Sequence, residues 1–128
     1  VFFDTNIICY FVSKDAPKAA ISAKLLEAGG TVSVQVLNEF VNVTLNKPLS
    51  MTDVRHTLEA VRATCAVIPL SLEVHDLALN VLERFKFSIY DSLIVAAALL
   101  ANCSILFTED MQDGQVIDGL TIRNPYSG

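Results

Sequence analysis

Positive charge is scarce in this sequence. Nine Lys and Arg stand against 14 Asp and Glu, giving a net charge of −5 and a pI near 4.8. That balance argues against a protein held on nucleic acid by a broad basic surface. One exception survives: acids that converge on divalent cations reverse the local field and make phosphate attractive. Long hydrophobic runs are also lacking. The longest, Leu93 to Ala101, is too short to cross a bilayer, so no membrane association is expected. The amino end carries no basic segment followed by an apolar core, which gives no ground for export. Cys9, Cys65 and Cys103 form no Cys-x-x-Cys pair and stand among apolar neighbours, so buried free thiols in a reducing cytoplasm are expected. There is no glycine-rich phosphate loop, no Gly-x-Ser-x-Gly elbow, and no repeat or low-complexity tract. His56 and His75 stand on helical segments without matched Cys or His spacing, which leaves no zinc site.

What is present fits one domain spanning residues 1–128, with 52% apolar residues to build its core. The chain lacks an initiator Met and begins inside Val1-Phe2-Phe3, so a few residues are expected upstream. Short apolar strands are read at Val1–Phe3, Thr31–Val34, Ala66–Pro69, Ser104–Phe107 and Leu120–Ile122. Between them the 3.6-residue period predicts helices. One starts at Asp15-Ala16-Pro17 and stops at Gly29-Gly30. Others run from about Gln35 to Asn46, closed by Lys47-Pro48, from a Thr52 cap to about Cys65, and from Ser71 onward. The last follows the Ser88-x-x-Asp91 capping box to Asn102 and is apolar almost all round. Strands alternating with helices indicate an α/β fold: a short central parallel sheet with helices on both faces, three layers in all.

In such folds the carboxyl ends of the strands and the amino ends of the crossover helices share one edge, where ligands bind. Asp4 ends the first strand and Asp110 lies just past the fourth. Asp91 is in the first turn of the helix that leads into that fourth strand, and Glu39 is in the second turn of the helix after the second strand. Each has a plain structural reading. Asp91 completes a capping box, and Glu39 lies on a polar stripe with Gln35, Asn42 and Asn46. Asp4-Thr5-Asn6 forms a turn or cap, and Asp110 is one acid among Glu109 and Asp113 in a surface loop. Convergence is what separates the readings. Four carboxylates gathered without a purpose would repel one another and raise their own pKa values, a cost that divalent cations with oxygen ligands remove.

The segments Phe3-Asp4-Thr5-Asn6, Asn38-Glu39-Phe40, Tyr90-Asp91-Ser92-Leu93 through Ala98, and Leu106-Phe107-Thr108-Glu109-Asp110 through Gly114 together resemble the PIN domain family, to which many toxin ribonucleases of the VapC type belong. The resemblance implies a three-layer PIN-like fold and a metal-dependent ribonuclease with catalytic residues Asp4, Glu39, Asp91 and Asp110. Asp4, Asp91 and Asp110 would be the ligands of Mg²⁺ or Mn²⁺, with Asn6 and Thr108 as polar supports. RNA is the implied substrate, and a cognate antitoxin and a second copy of the chain are the implied protein partners. The mean hydropathy of +0.48 suits a protein that covers surface in this way. Lys14, Lys47, Arg55 and Lys86 are candidate phosphate contacts, but they are scattered in the sequence and none is assigned to the site.

Two other enzymes share parts of the pattern and fail on others. Phosphatases of the haloacid dehalogenase type need a second acid two residues after the strand-end Asp, where this chain has Asn6. A receiver domain ends its third strand on Asp, where this chain has Pro69. The alternative from a different class is a PIN-like module that holds RNA or protein without cutting it.

Overall fold

The computed structural model describes residues 1–47 and 49–127. Its elements are β1 (Phe2–Phe3), α1 (Thr5–Phe11), α2 (Ala16–Ala28), β2 (Gly30–Ser33), α3 (Val34–Leu45), α4 (Met51–Thr64), β3 (Cys65–Ile68), α5 (Leu72–Phe85), α6 (Ile89–Leu100), β4 (Ile105–Phe107), β5 (Val116–Ile117) and β6 (Leu120–Arg123). The strands form one sheet in the order β3-β2-β1-β4-β6-β5, parallel except for the β5–β6 pair. Helices α1 to α4 pack among themselves and α5 packs on α6, giving the expected layers around the sheet. β1 lies at the centre, and its Phe2 and Phe3 are fully buried together with Val32, Leu106 and Ile122 of the neighbouring strands. Buried side chains run without a break from Ile94 to Ala98, as expected of a helix apolar almost all round. Among the described residues no helix is long and apolar enough to cross a membrane.

Most boundaries agree with the sequence expectation to within a residue or two, and the exceptions have local causes. The α4 cap is Ser50, whose hydroxyl accepts from the Asp53 N–H, and Thr52 lies inside the first turn. The expected closure of α3 at Lys47-Pro48 falls in part outside the described residues. Two elements were not expected. α1 has only seven residues and opens on Thr5-Asn6-Ile7-Ile8, types with little helix preference. It forms because Asp4 caps it and because Ile7 and Ile8 are fully buried. β5 is joined to β6 through Asp118-Gly119, both at positive φ (49° and 88°), the geometry of a two-residue hairpin turn. An Asp-Gly pair between apolar residues is a sequence signal for that turn.

Gly29 sits where α2 turns into β2, at φ +86°, and a Cβ there would lie 2.8 Å from the Thr64 carbonyl oxygen. Gly114 has a similar φ of +87° but open space around it. Gly29→Ala is therefore expected to cost about 2–3 kcal/mol, and Gly114→Ala about 1 kcal/mol. Urea unfolding of the two variants checks this, and equal losses would show that backbone strain alone acts at Gly29.

Candidate active site

Four separate elements bring the acids to the carboxyl edge of the sheet. The peptide N–H of Asp4 donates to the Phe107 carbonyl at 3.0 Å, and that of Thr108 donates to the Arg123 carbonyl at 3.0 Å. The residues just past β1 and β4 are thus fixed side by side by an extension of the ladder. Asp4 is only 5% exposed and Thr108 is fully buried. Both Asp4 oxygens are engaged: Oδ1 accepts from the Thr5 N–H at 2.6 Å and Oδ2 from the Thr108 hydroxyl at 2.8 Å. Asp4 is therefore a helix cap and a strand end at once, and its structural reading holds alongside any chemical one.

The other acids are tied to this centre by neutral donors. The Thr5 hydroxyl donates to Glu39 Oε2 at 2.7 Å, and Gln35 Nε2 donates to Glu39 Oε1 at 3.0 Å. Gln35 also donates to the Tyr90 carbonyl at 3.2 Å, which joins α3 to the first turn of α6 beside Asp91. Asn6 Nδ2 donates to Asp110 Oδ2 at 3.0 Å and to Thr108 Oγ1 at 3.3 Å, while Asn6 Oδ1 accepts from the Glu109 N–H at 3.2 Å. The Asp110 N–H donates to Thr108 Oγ1 at 3.1 Å. Asn6 and Thr108 thus hold the loop that carries Asp110 and connect it to Asp4. Ser88 caps α6 by accepting from the Asp91 N–H at 3.1 Å, and the Asp91 side chain is half-buried.

Electrostatics record the crowding. Burial raises the Asp4 pKa to about 6. The bonds from Thr108 and Thr5 oppose that rise, and the charges of Asp110 and Glu39 add to it. Burial likewise raises Asp91, again with contributions from Asp110 and Glu39 and with Ser88 opposing. Among the described residues no basic side chain forms an ion pair with these four acids. Among the described residues the ion pairs are Lys18–Glu109 and Arg84–Asp118. The first of these separates Asp110 from its neighbours in sequence. Glu109 accepts from Lys18 Nζ and from the Tyr10 hydroxyl, each at 2.7 Å, and the Lys18 bond holds its pKa below the usual range. Asp113 accepts from the Asn124 N–H at 2.8 Å. Glu109 and Asp113 thus each bond a partner outside the four acids.

The acids are neighbours without closing on one point: among the described residues no three His, Cys, Asp or Glu side chains surround a common metal position. The mutual charge effects and this absence are compatible, since the first extends over several ångströms and the second demands direct ligation. A cleft of about 540 Å³ opens beside the cluster, lined by Asn6, Glu39, Asp110 and Lys47 among others. Sequence reasoning did not single out Thr5 or Gln35 as the residues that orient Glu39. Gln35 stands one helical turn before Glu39, and that spacing was the available signal.

The Asp4 shift has a stability consequence of definite sign. Its folded pKa of about 6 lies above the ordinary 3.8, so the folded state holds the proton more tightly than the unfolded one. That contribution is complete below pH 3.8 and is lost as pH rises through 6, by about 3 kcal/mol. In chelator, the stability of wild type minus that of Asp4→Asn is expected to fall by this amount between pH 3 and 8 in urea unfolding. A flat difference would show that Asp4 ionises without cost.

The sequence profile of the PIN domain family matches residues 1–112, a span that contains all four acids. No curated protein sequence matches the chain. Its fold is similar to that of a chain in a toxin–antitoxin complex from Klebsiella pneumoniae, at 22% identity and a TM-score of 0.75 over 98% of both chains. It is also similar to VapBC2 from Rickettsia felis bound to a DNA fragment from its promoter, at 20% identity and 0.69 over 96% of both. A third likeness is to VapC20 from Mycobacterium tuberculosis, described as a toxin that cleaves the sarcin–ricin loop, at 14% identity and 0.63 over 82% of this chain and 85% of that one. The order of the elements, the mostly parallel sheet and the profile match agree, and the chain belongs to the PIN domain family.

Proposed function

We propose that the chain is a metal-dependent endoribonuclease that hydrolyses RNA phosphodiester bonds, and that it is the toxin of a toxin–antitoxin pair. One observation carries the nuclease reading. Acids from four elements gather at one edge, three of them (Asp4, Glu39 and Asp110) held by neutral donors, with no basic side chain in an ion pair with any of the four among the described residues, and with raised pKa values for Asp4 and Asp91. A structural cluster would gain by acquiring a lysine or losing an acid; a site for a divalent cation and a phosphate needs the charge left open.

The donor set suits a hard cation. It is all oxygen, without the His or Cys that zinc favours, and Mg²⁺ keeps several waters while bound through one or two carboxylates. Asp4 and Asp91, with Asp110, are the proposed ligands. When bound, such an ion supplies Lewis-acid activation of water and neutralises charge on the phosphate. The protein does the rest. Thr108 and the Thr5 N–H fix the Asp4 carboxylate, and Asn6 holds Asp110 at Oδ2. Thr5 and Gln35 hold Glu39, which with Asp110 either ligates through water or accepts the proton of the attacking water.

The toxin reading draws on the similar folds, which include chains from toxin–antitoxin complexes and a sarcin–ricin-loop-cleaving toxin. An antitoxin protein is the proposed partner. A second copy is proposed as well, with Leu72 and Leu79 of α5, 74% and 46% exposed and two helical turns apart, among the surface it would cover.

Labelled RNA incubated with and without Mn²⁺ tests the nuclease. Metal-dependent cleavage is expected, with a fall on the order of 10²–10³-fold in Asp4→Asn and Asp91→Asn, the scale of losing one electrostatic stabiliser. Thr108→Val is expected to lose about 10–100-fold by freeing Asp4. RNA retention without cleavage in any divalent metal would replace the enzyme by a binding module.

A further inference from the structure

A second cleft adjoins the acids. It has a volume of about 340 Å³, within the range of small-ligand sites (roughly 300–1,000 Å³), and lies between α1 and α3. Its walls are apolar, built from Cys9, Val12, Val43 and Leu49, and Lys14 and Lys47 stand on it. It shares Cys9, Val43 and Lys47 with the cleft that holds Glu39 and Asp110, so the two form one continuous groove. The Cys9 thiol marks the junction. Burial pushes its pKa to about 11, the Lys47 charge pulls it down, and the charges of Asp4, Asp110 and Glu39 push it up, so both ends of the groove act on one atom.

The geometry points to a nucleotide subsite in this α1–α3 cleft. A base next to the cleaved phosphate would insert between the Val12 and Val43 walls, and Lys14 and Lys47 would hold the adjoining backbone phosphates. This rests on the nuclease reading, and it supplies what that reading lacks, a cationic element in a chain of net charge −5. Lys14 and Lys47 are far apart in the sequence, and only the packing of α1 on α3 makes them neighbours. Both are exposed and, among the described residues, neither is in an ion pair. Cations free beside an apolar slot and a field of acids complement a polyanion whose bases can splay out, as in single-stranded RNA. A protein segment would have to leave both ammoniums unpaired or bring acids toward the carboxylate cluster.

The test uses the full chain and fluorescein-labelled decamers of uridine and adenosine, with binding in Ca²⁺ followed by anisotropy over a range of salt and cleavage followed in Mn²⁺. Phosphate contacts predict that Lys14→Ala/Lys47→Ala flattens the dependence of log affinity on log salt by about 1.4, or 0.7 for each single variant. Val43→Phe, which fills the slot, is expected to change the ratio of cleavage between the two decamers by about tenfold. The lysine variants are on the surface and leave the core intact, so they keep the test usable if Val43→Phe fails to fold. Active enzyme with unchanged salt slope and base preference would overturn the subsite and leave the nuclease standing. Lysine-dependent RNA binding without any cleavage would support the cleft and remove the nuclease. Lysine variants that bind RNA normally but no longer bind the cognate antitoxin would overturn the nucleotide assignment in favour of a peptide.

Discussion

Burying the Asp4 carboxylate at the end of the central strand is the constraint around which the rest of this edge is arranged. A charge at 5% exposure loses most of its hydration, and the fold returns only part of it through the Thr5 N–H and the Thr108 hydroxyl. Those two donors determine much else. The Thr5 N–H is the first amide of α1, so capping Asp4 and starting α1 are the same event. The Thr108 hydroxyl is fixed by the pairing of β4 with β1 and β6, and its oxygen then accepts from Asn6 and Asp110. Moving Asp4 would therefore disturb the first helix and the loop that carries Asp110 together.

The supports share a chemical character. Thr5, Asn6, Gln35 and Thr108 are neutral, and each donates to a carboxylate without cancelling its charge. An arginine in any of these places would steady the acid more strongly and would also spend the negative potential. Where an ion pair does occur nearby, it neutralises an acid of the same cleft: Lys18 pairs with Glu109, and Tyr10 completes its hydrogen bonding. The protein thus distinguishes adjacent acids by what it pairs them with. Glu109 is used to fasten the loop to α2, and Asp110 is left on the open side.

This explains how much was legible in the sequence. The layer order, the positions of every strand but β5 and the edge on which the acids gather follow from local patterns, because period, caps and glycine stops are properties of contiguous residues. The position of Asp4 and Asp91 follows as well, since a strand end and a capping box each fix a residue to an edge. What sets the partners of Glu109 and Asp113 apart from those of Asp110 is not local. It depends on Lys18, some ninety residues away in the chain, and on Asn124 across a hairpin. The polar stripe of α3 was legible as a stripe, but whether it met water or other acids depended on packing. Gln35 proves buried at 6% exposure, with its amide spanning to the Tyr90 carbonyl.

The least legible element is the one that does most to organise the groove. α1 is too short and too rich in β-branched residues to be read as a helix from propensity, yet consecutive turns of it present different chemistry to the same side. Thr5 and Asn6 meet Glu39 and Asp110, Cys9 stands at the junction of the two clefts, and Tyr10 reaches Glu109. Its stability is borrowed from the core through Ile7 and Ile8 rather than supplied by its own hydrogen bonds. A helix held in this way keeps its register only while the core beneath it is intact, so the spacing between the acids and the lysine-lined slot is set by packing under α1. In this fold the geometry of the charged surface is therefore inherited from apolar residues that never reach it.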